Sequence, residues 1–275
     1  MAQQPAIEPM HQFMVHKIVD LPPVRIGGFA LDLSITNSVV TMFAGAVILI
    51  LFFALTARRE IVPNRGQALA ESLYNIIDRV LVGPIIGHGG KPYVPYIFTL
   101  FLVILVLNLM SVVLAIGNVG GLDLTFAVTA QLAVTATLAV LTFFSVFILG
   151  FVKHGPKFVT LFAPSGMPKI MLLFMVPIEM LSYFVRPVTL AMRLFGNMLG
   201  GHVVMSLFGS FVVALGIVAL SGGLATLAVI PSVLSFTMIV ALTGLELVVA
   251  ILQAFVFAAL ATVYLNEVVN FGHGH

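Results

Sequence analysis

Residues 169–220 read KIMLLFMVPIEMLSYFVRPVTLAMRLFGNMLGGHVVMSLFGSFVVALGIVAL, and beyond Lys169 the only formal charges are Glu179, Arg186 and Arg193. A second run of this kind covers residues 224–269, with the neutral SGG at 221–223 between them. Runs this apolar cannot build a water-facing surface. Across all 275 positions hydrophobic residues make up 61% and charged residues 8%, where a soluble domain carries about a quarter charged. The mean hydropathy of +1.19 agrees. Lipid is the solvent for most of this chain, and the fold class expected is an all-α polytopic membrane protein occupying residues 1–275 as one membrane domain.

Working outward from that stretch, a span over 126–152 is stopped by KHGPK, and LFAPSGMPK then supplies two prolines and a glycine, which end a helix and make a short connection up to Lys169. A span over 96–116 precedes it and ends in GNVGGLD, a turn holding Asp123. The first span covers 34–57 and is halted by Arg58, Arg59 and Glu60. Between these two, residues 64–83 place Leu69, Leu73, Ile76, Ile77, Val80 and Leu81 at helical spacing, with Arg65, Glu71, Asn75, Asp78 and Arg79 elsewhere around the axis. That pattern reads as an amphipathic helix lying on the membrane surface, too polar to cross it.

Arg58, Arg59, Arg65, Arg79 and Lys91 fall on one side, and Lys153, Lys157 and Lys169 return to it two crossings later. The loops at Asp123 and SGG hold no Lys or Arg. Five spans therefore put the basic loops and the C-terminus in the cytoplasm and the N-terminus outside. Residues 1–33 read as an extracytoplasmic polar tail without the basic and apolar regions of a signal peptide.

The net charge of +2 suggests no nucleic-acid partner, and the absence of cysteine leaves no disulfide, thiol chemistry or cysteine metal site. No nucleotide loop, nucleophile triad or zinc signature is present, so no catalytic role, cofactor or metal is expected. His11, His16, His273 and His275 lack ligand spacing.

Ionisable groups in spans are costly and mark ion paths, cavities or partners. Glu179, Arg186 and Arg193 lie seven residues apart. At that spacing a helix drifts only about 20° per step, so the three form one narrow stripe. Glu246, Gln253 and Tyr264 form a second stripe on the next run. A pairing of Glu179 with Arg186 inside the helix is the structural alternative, and His202, on the far side from Arg193, is open to a plain packing role. Asn108 reads as interhelical hydrogen-bond glue, an alternative open to Gln253 too. Gly196, Gly200 and Gly201 fit close helix approach. Length is the unresolved point. About fifty helical residues extend about 75 Å, while the hydrocarbon core is about 30 Å thick. Each long run is either two spans, with GNMLGG a candidate break, or one steeply tilted helix.

RPVTLAMRLFGNMLGGH, followed by ELVVAILQAFVFAALATVYLNE, resembles subunit a of the F-type rotary ATP synthase. PIEMLSYFVRP, the LNLM at 107–110 and the HQF of the N-terminal tail support the resemblance, which covers essentially the whole chain. It implies that the last two runs are single, strongly tilted helices forming a hairpin against the c-subunit ring. It implies that Arg193 faces the ring carboxylates and separates two offset half-channels, with Gln253 opposite. Glu179 would then line the cytoplasmic half-channel and His202 with Glu246 the other, while Arg186, Tyr264 and Asn108 lie along the proton path. Implied partners are the c-ring, subunit b of the peripheral stalk, the rest of the complex and membrane lipid, and the implied location is a bacterial inner membrane. Some bacterial members carry a carboxylate at the position of His202 and a histidine at that of Glu246; this chain has the exchanged order, as mitochondrial members do.

Two other classes compete. A secondary transporter would use Arg193 to hold an anionic substrate at the midplane, but such folds show paired repeats, and none is visible here. A membrane scaffold explains apolarity but not two polar stripes.

Overall fold

The computed structural model describes residues 17–19, 24–26, 29–31, 34–56, 63–116, 128–162, 169–220 and 227–270. The stop at Arg58–Glu60, the turn at Asp123, the SGG connection and the tail histidines His11, His16, His273 and His275 lie outside these residues.

Five described helices are long and apolar enough to cross a membrane. The first is α1 (Asn37–Thr56), whose twenty residues span about 30 Å, the thickness of the hydrocarbon core. Its large side chains point outward, Phe43 and Leu55 each 69% exposed. In water that arrangement would be prohibitive; in lipid it costs nothing. Next comes α2 (Arg65–Ile76), begun by the Asn64 side chain accepting from the backbone N–H of Arg65 at 2.7 Å. No residue of α2 is buried. The backbone then widens into a π-helical stretch (Ile77–Val82), passes a short α3 (Gly83–Ile86), and turns at Gly87, whose φ of 78° favours glycine. A 3₁₀ segment (Gly87–Tyr93) leads into α4 (Val94–Ile116).

The third span begins later than the hydropathy suggests. Val128–Ala130 is a buried 3₁₀ turn, and α5 runs Leu132–His154. The Ser111 and Thr129 hydroxyls lie 3.2 Å apart, tying that turn to α4. The helices α6 (Lys169–Leu220) and α7 (Val229–Val269) complete the set. Within α6, neither GNMLGG nor the interior prolines Pro177 and Pro187 break the helix, so the two-span alternative for this run falls. The N-terminal stretch is not wholly irregular. Short antiparallel pairs join β1 (Lys17–Val19) to β4 (Ile35–Thr36) and β2 (Val24–Ile26) to β3 (Phe29–Leu31).

The chain divides into two compact units, one of residues 1–47, 105–131 and 195–252, the other of 48–104, 132–194 and 253–275. In the first, Val112, Ala130, Met198 and Ala250 form a buried cluster covered by Leu109 and Leu199. In the second, Phe143, Phe162 and Tyr183 pack together, the Phe143 and Tyr183 rings 5.1 Å apart. Lys153 Nζ donates to the Val269 carbonyl at 3.0 Å, and His154 Nε2 lies 2.8 Å from that of Val268. The Lys153 cation thus sits on the last carbonyls of α7, where the helix dipole is negative. Asn270 Nδ2 donates to the Ile86 carbonyl at 3.1 Å.

Candidate functional site

In the second unit, α6 brings Glu179, Arg186 and Arg193, and α7 brings Gln253 and Tyr264. Arg186 does not pair with Glu179. Seven residues separate them by about 10.5 Å along the axis, beyond side-chain contact. Its guanidinium bonds instead to the Glu267 carboxylate on α7, and sits 5.3 Å from the ring centroids of both Tyr183 and Tyr264. Glu267 was absent from the candidates read from the sequence. The signal was there, since Glu267 lies fourteen residues beyond Gln253 in the same seven-residue series, but its place near the helix end reads as an ordinary terminal charge.

Arg193 is exposed, beside the 52% exposed Met192, while Leu190, Ala191 and Leu194 turn into the core. It forms no ion pair or hydrogen bond with another described residue. A permanent charge on the outer face of an apolar membrane helix calls for a partner outside this chain. Glu179 is half-buried and Gln253 buried.

In the first unit, His202 of α6 and Glu246 of α7 come together, Nε2 to Oε1 3.6 Å, with side chains only 3% and 5% exposed. That separation is just beyond a hydrogen bond, so a small shift makes or breaks the contact. Gly201 makes the approach possible: a Cβ there would stand 2.6 Å from Glu246 Oε1. Around Gly196 and Gly200, by contrast, a Cβ meets nothing within 4 Å, and both glycines are exposed. Asn108 on α4 donates from Nδ2 to the Ala250 carbonyl of α7 at 3.2 Å. Among the described residues no three His, Cys, Asp or Glu side chains converge in a way that could hold a metal ion.

A permanent cation on an outer face and a buried imidazole–carboxylate pair, all on long membrane helices, suit the handling of protons. Comparison with known proteins agrees. The family model described as ATP synthase A chain matches residues 38–266. The chain is 43% identical over 270 residues to the ATP synthase subunit a of Rhizobium johnstonii, covering 98% of this chain and 99% of that one. It is 43% identical to the subunit a of Azorhizobium caulinodans, covering 97% and 99% of the two chains, and 41% identical to that of Xanthobacter autotrophicus, with the same coverage. With most of its length matched by the family model and nearly all of it by these relatives, the chain belongs to the ATP synthase A chain family.

Proposed function

We propose that this chain is the proton-translocating, non-catalytic stator subunit in the membrane sector of a rotary ATP synthase, multi-pass in a bacterial inner membrane. The observation that carries the reading is Arg193, an exposed guanidinium in the middle of an unbroken apolar helix, with no ion-pair partner among the described residues. Its partner is a carboxylate of the c-ring. The reading has α6 and α7 as a tilted hairpin against that ring. Support comes from their contacts, which run in antiparallel order: Ser232 to the Val212 carbonyl, Thr243 to Met205 and His202 to Glu246 in one unit, Arg186 to Glu267 in the other. Fifty-two helical residues extend about 78 Å against a core of about 30 Å, so such a helix must lie steeply.

A proton enters the extracytoplasmic half-channel, passes His202 and Glu246, and neutralises a ring carboxylate, which can then rotate through lipid. Near the end of the turn the carboxyl reaches the half-channel lined by Glu179, with Arg186 and Tyr264 nearby, and deprotonates to the cytoplasm. Arg193 favours the ionised carboxylate beside it and repels a proton in transit, so none crosses without rotation. Gln253 faces the same passage, and the exposed Gly196 and Gly200 let the ring approach closely. Subunit b and the peripheral stalk hold the chain against torque. The N-terminus lies outside and the C-terminus inside, in keeping with the Lys153 side chain at the end of α7.

The test is ATP synthesis and passive proton conductance in vesicles. Arg193→Ala is expected to abolish gradient-driven synthesis in an assembled complex and to let protons leak. Arg193→Lys fails too, because a desolvated lysine loses its charge. Arg186→Ala is milder. Substantial synthesis by Arg193→Ala would overturn the barrier role.

A further inference from the structure

Away from the proton path, Asp78, Arg79, Val82, Gly83, Gly87 and Lys91 line a cavity of about 260 Å³ in the second unit. We propose that it binds the phosphodiester headgroup of an anionic phospholipid. The volume lies just below the range of about 300–1,000 Å³ typical of small-molecule sites, a size for a headgroup rather than a cofactor.

Two backbone departures build the cavity. The π-helical stretch Ile77–Val82 re-aims Arg79, and the positive φ of Gly87 folds the chain back so that Lys91 reaches the same space. Single π turns inside helices recur at functional sites. Arg79 and Lys91 are exposed and enter no ion pair or hydrogen bond with another described residue. Two cations against the one carboxylate of Asp78 leave a single positive charge, the complement of one phosphodiester. Arginine binds phosphate oxygens through its fork, lysine as a point charge, and Asp78 can accept from headgroup hydroxyls, as phosphatidylglycerol carries.

Depth selects lipid over other phosphates. Lys91 is the third residue of the span that begins at Gly89, and the half-buried Tyr93 and Tyr96 follow it. Tyrosines mark the boundary between headgroups and hydrocarbon, so the two cations stand at phosphate level.

The test is photo-labelling of the intact complex in phosphatidylcholine vesicles containing a photoactivatable phosphatidylglycerol, with labelled peptides mapped by mass spectrometry. Label is expected on residues 78–91 and to fall about fivefold in Arg79→Gln or Lys91→Gln, and about twenty-five-fold in the double variant, since each surface cation contributes about that factor. The charge-conserving exchange of Arg79→Lys with Lys91→Arg should keep most of the label. In the unaltered complex, unlabelled phosphatidylglycerol should compete, and added phosphatidylcholine or inorganic phosphate should not. The proposal is overturned by label that survives in the double variant, by phosphate competing as well as the lipid, or by Lys91 cross-linking to another subunit in place of lipid.

Discussion

Alanine at position 201 would place its Cβ 2.6 Å from Glu246 Oε1, 3.2 Å from Cδ and 3.5 Å from Cγ. To restore an ordinary contact of 3.4 Å, the carboxylate must give by 0.8 Å. It has little room, because His202 and Glu246 are 3% and 5% exposed and the recession happens inside a packed interior. Overpacking of this kind costs about 1–3 kcal/mol. Proton transfer starts from the native position of Glu246, so the same energy appears in the barrier and slows transport by about 5- to 160-fold. The assay is ATP-driven acidification of inverted vesicles, normalised to assembled complex. Adding Glu246→Asp, one methylene shorter, to Gly201→Ala should relieve the clash and recover part of the rate, although Glu246→Asp alone lowers it. Wild-type pumping by an assembled Gly201→Ala complex would refute the reasoning.

Exchanging His202→Glu with Glu246→His should retain more proton-driven synthesis than His202→Leu or Glu246→Leu, and equal loss in all three would end the pairing. Glu267→Gln should destabilise the complex by about 1–2 kcal/mol, between exposed and buried ion pairs, because the partners are 23% and 32% exposed. Its thermal midpoint should fall less than that of Arg186→Ala, which also loses two tyrosine contacts; a larger fall would refute this account. Single cysteines in GNMLGG should react with a membrane-impermeant thiol reagent far more slowly than one placed at Lys157; equal rates would contradict a membrane-embedded helix.

Spans were legible because lipid imposes one demand, an apolar run long enough to satisfy its own backbone. The hydropathy therefore located α1, α4, α5, α6 and α7 to within a few residues. What it missed has local causes. The start of α5 slipped because residues 128–130, apolar enough to read as span, form a tight turn in which the Gln131 N–H donates to the Val128 carbonyl, with the Thr129 hydroxyl against that of Ser111. The continuity of α6 was not readable, since glycines and prolines weaken a helix in water but are tolerated in membrane spans. The partner of Arg186 was hidden because periodicity ranks residues on one helix and says nothing of which face meets the next. Asn108 was easier, since a buried polar group in lipid must find company, whereas the pairing of His202 with Glu246 came from the family resemblance and not from the spacing of the residues.

The bonds from Lys153 and His154 to the last carbonyls of α7 join positions 116 and 114 residues apart in sequence. At about 5–20 residues per second, a ribosome needs about 6–23 s to make the chain between them. Throughout that interval α5 can already be inserted while its basic end has no α7 to hold. The Ile86 carbonyl waits longer still, 184 residues ahead of Asn270. The Phe143, Phe162 and Tyr183 cluster can pack while α7 is still unmade, but these three bonds cannot form before residues 268–270 emerge, so the basic end of α5 and the Ile86 carbonyl find their partners last.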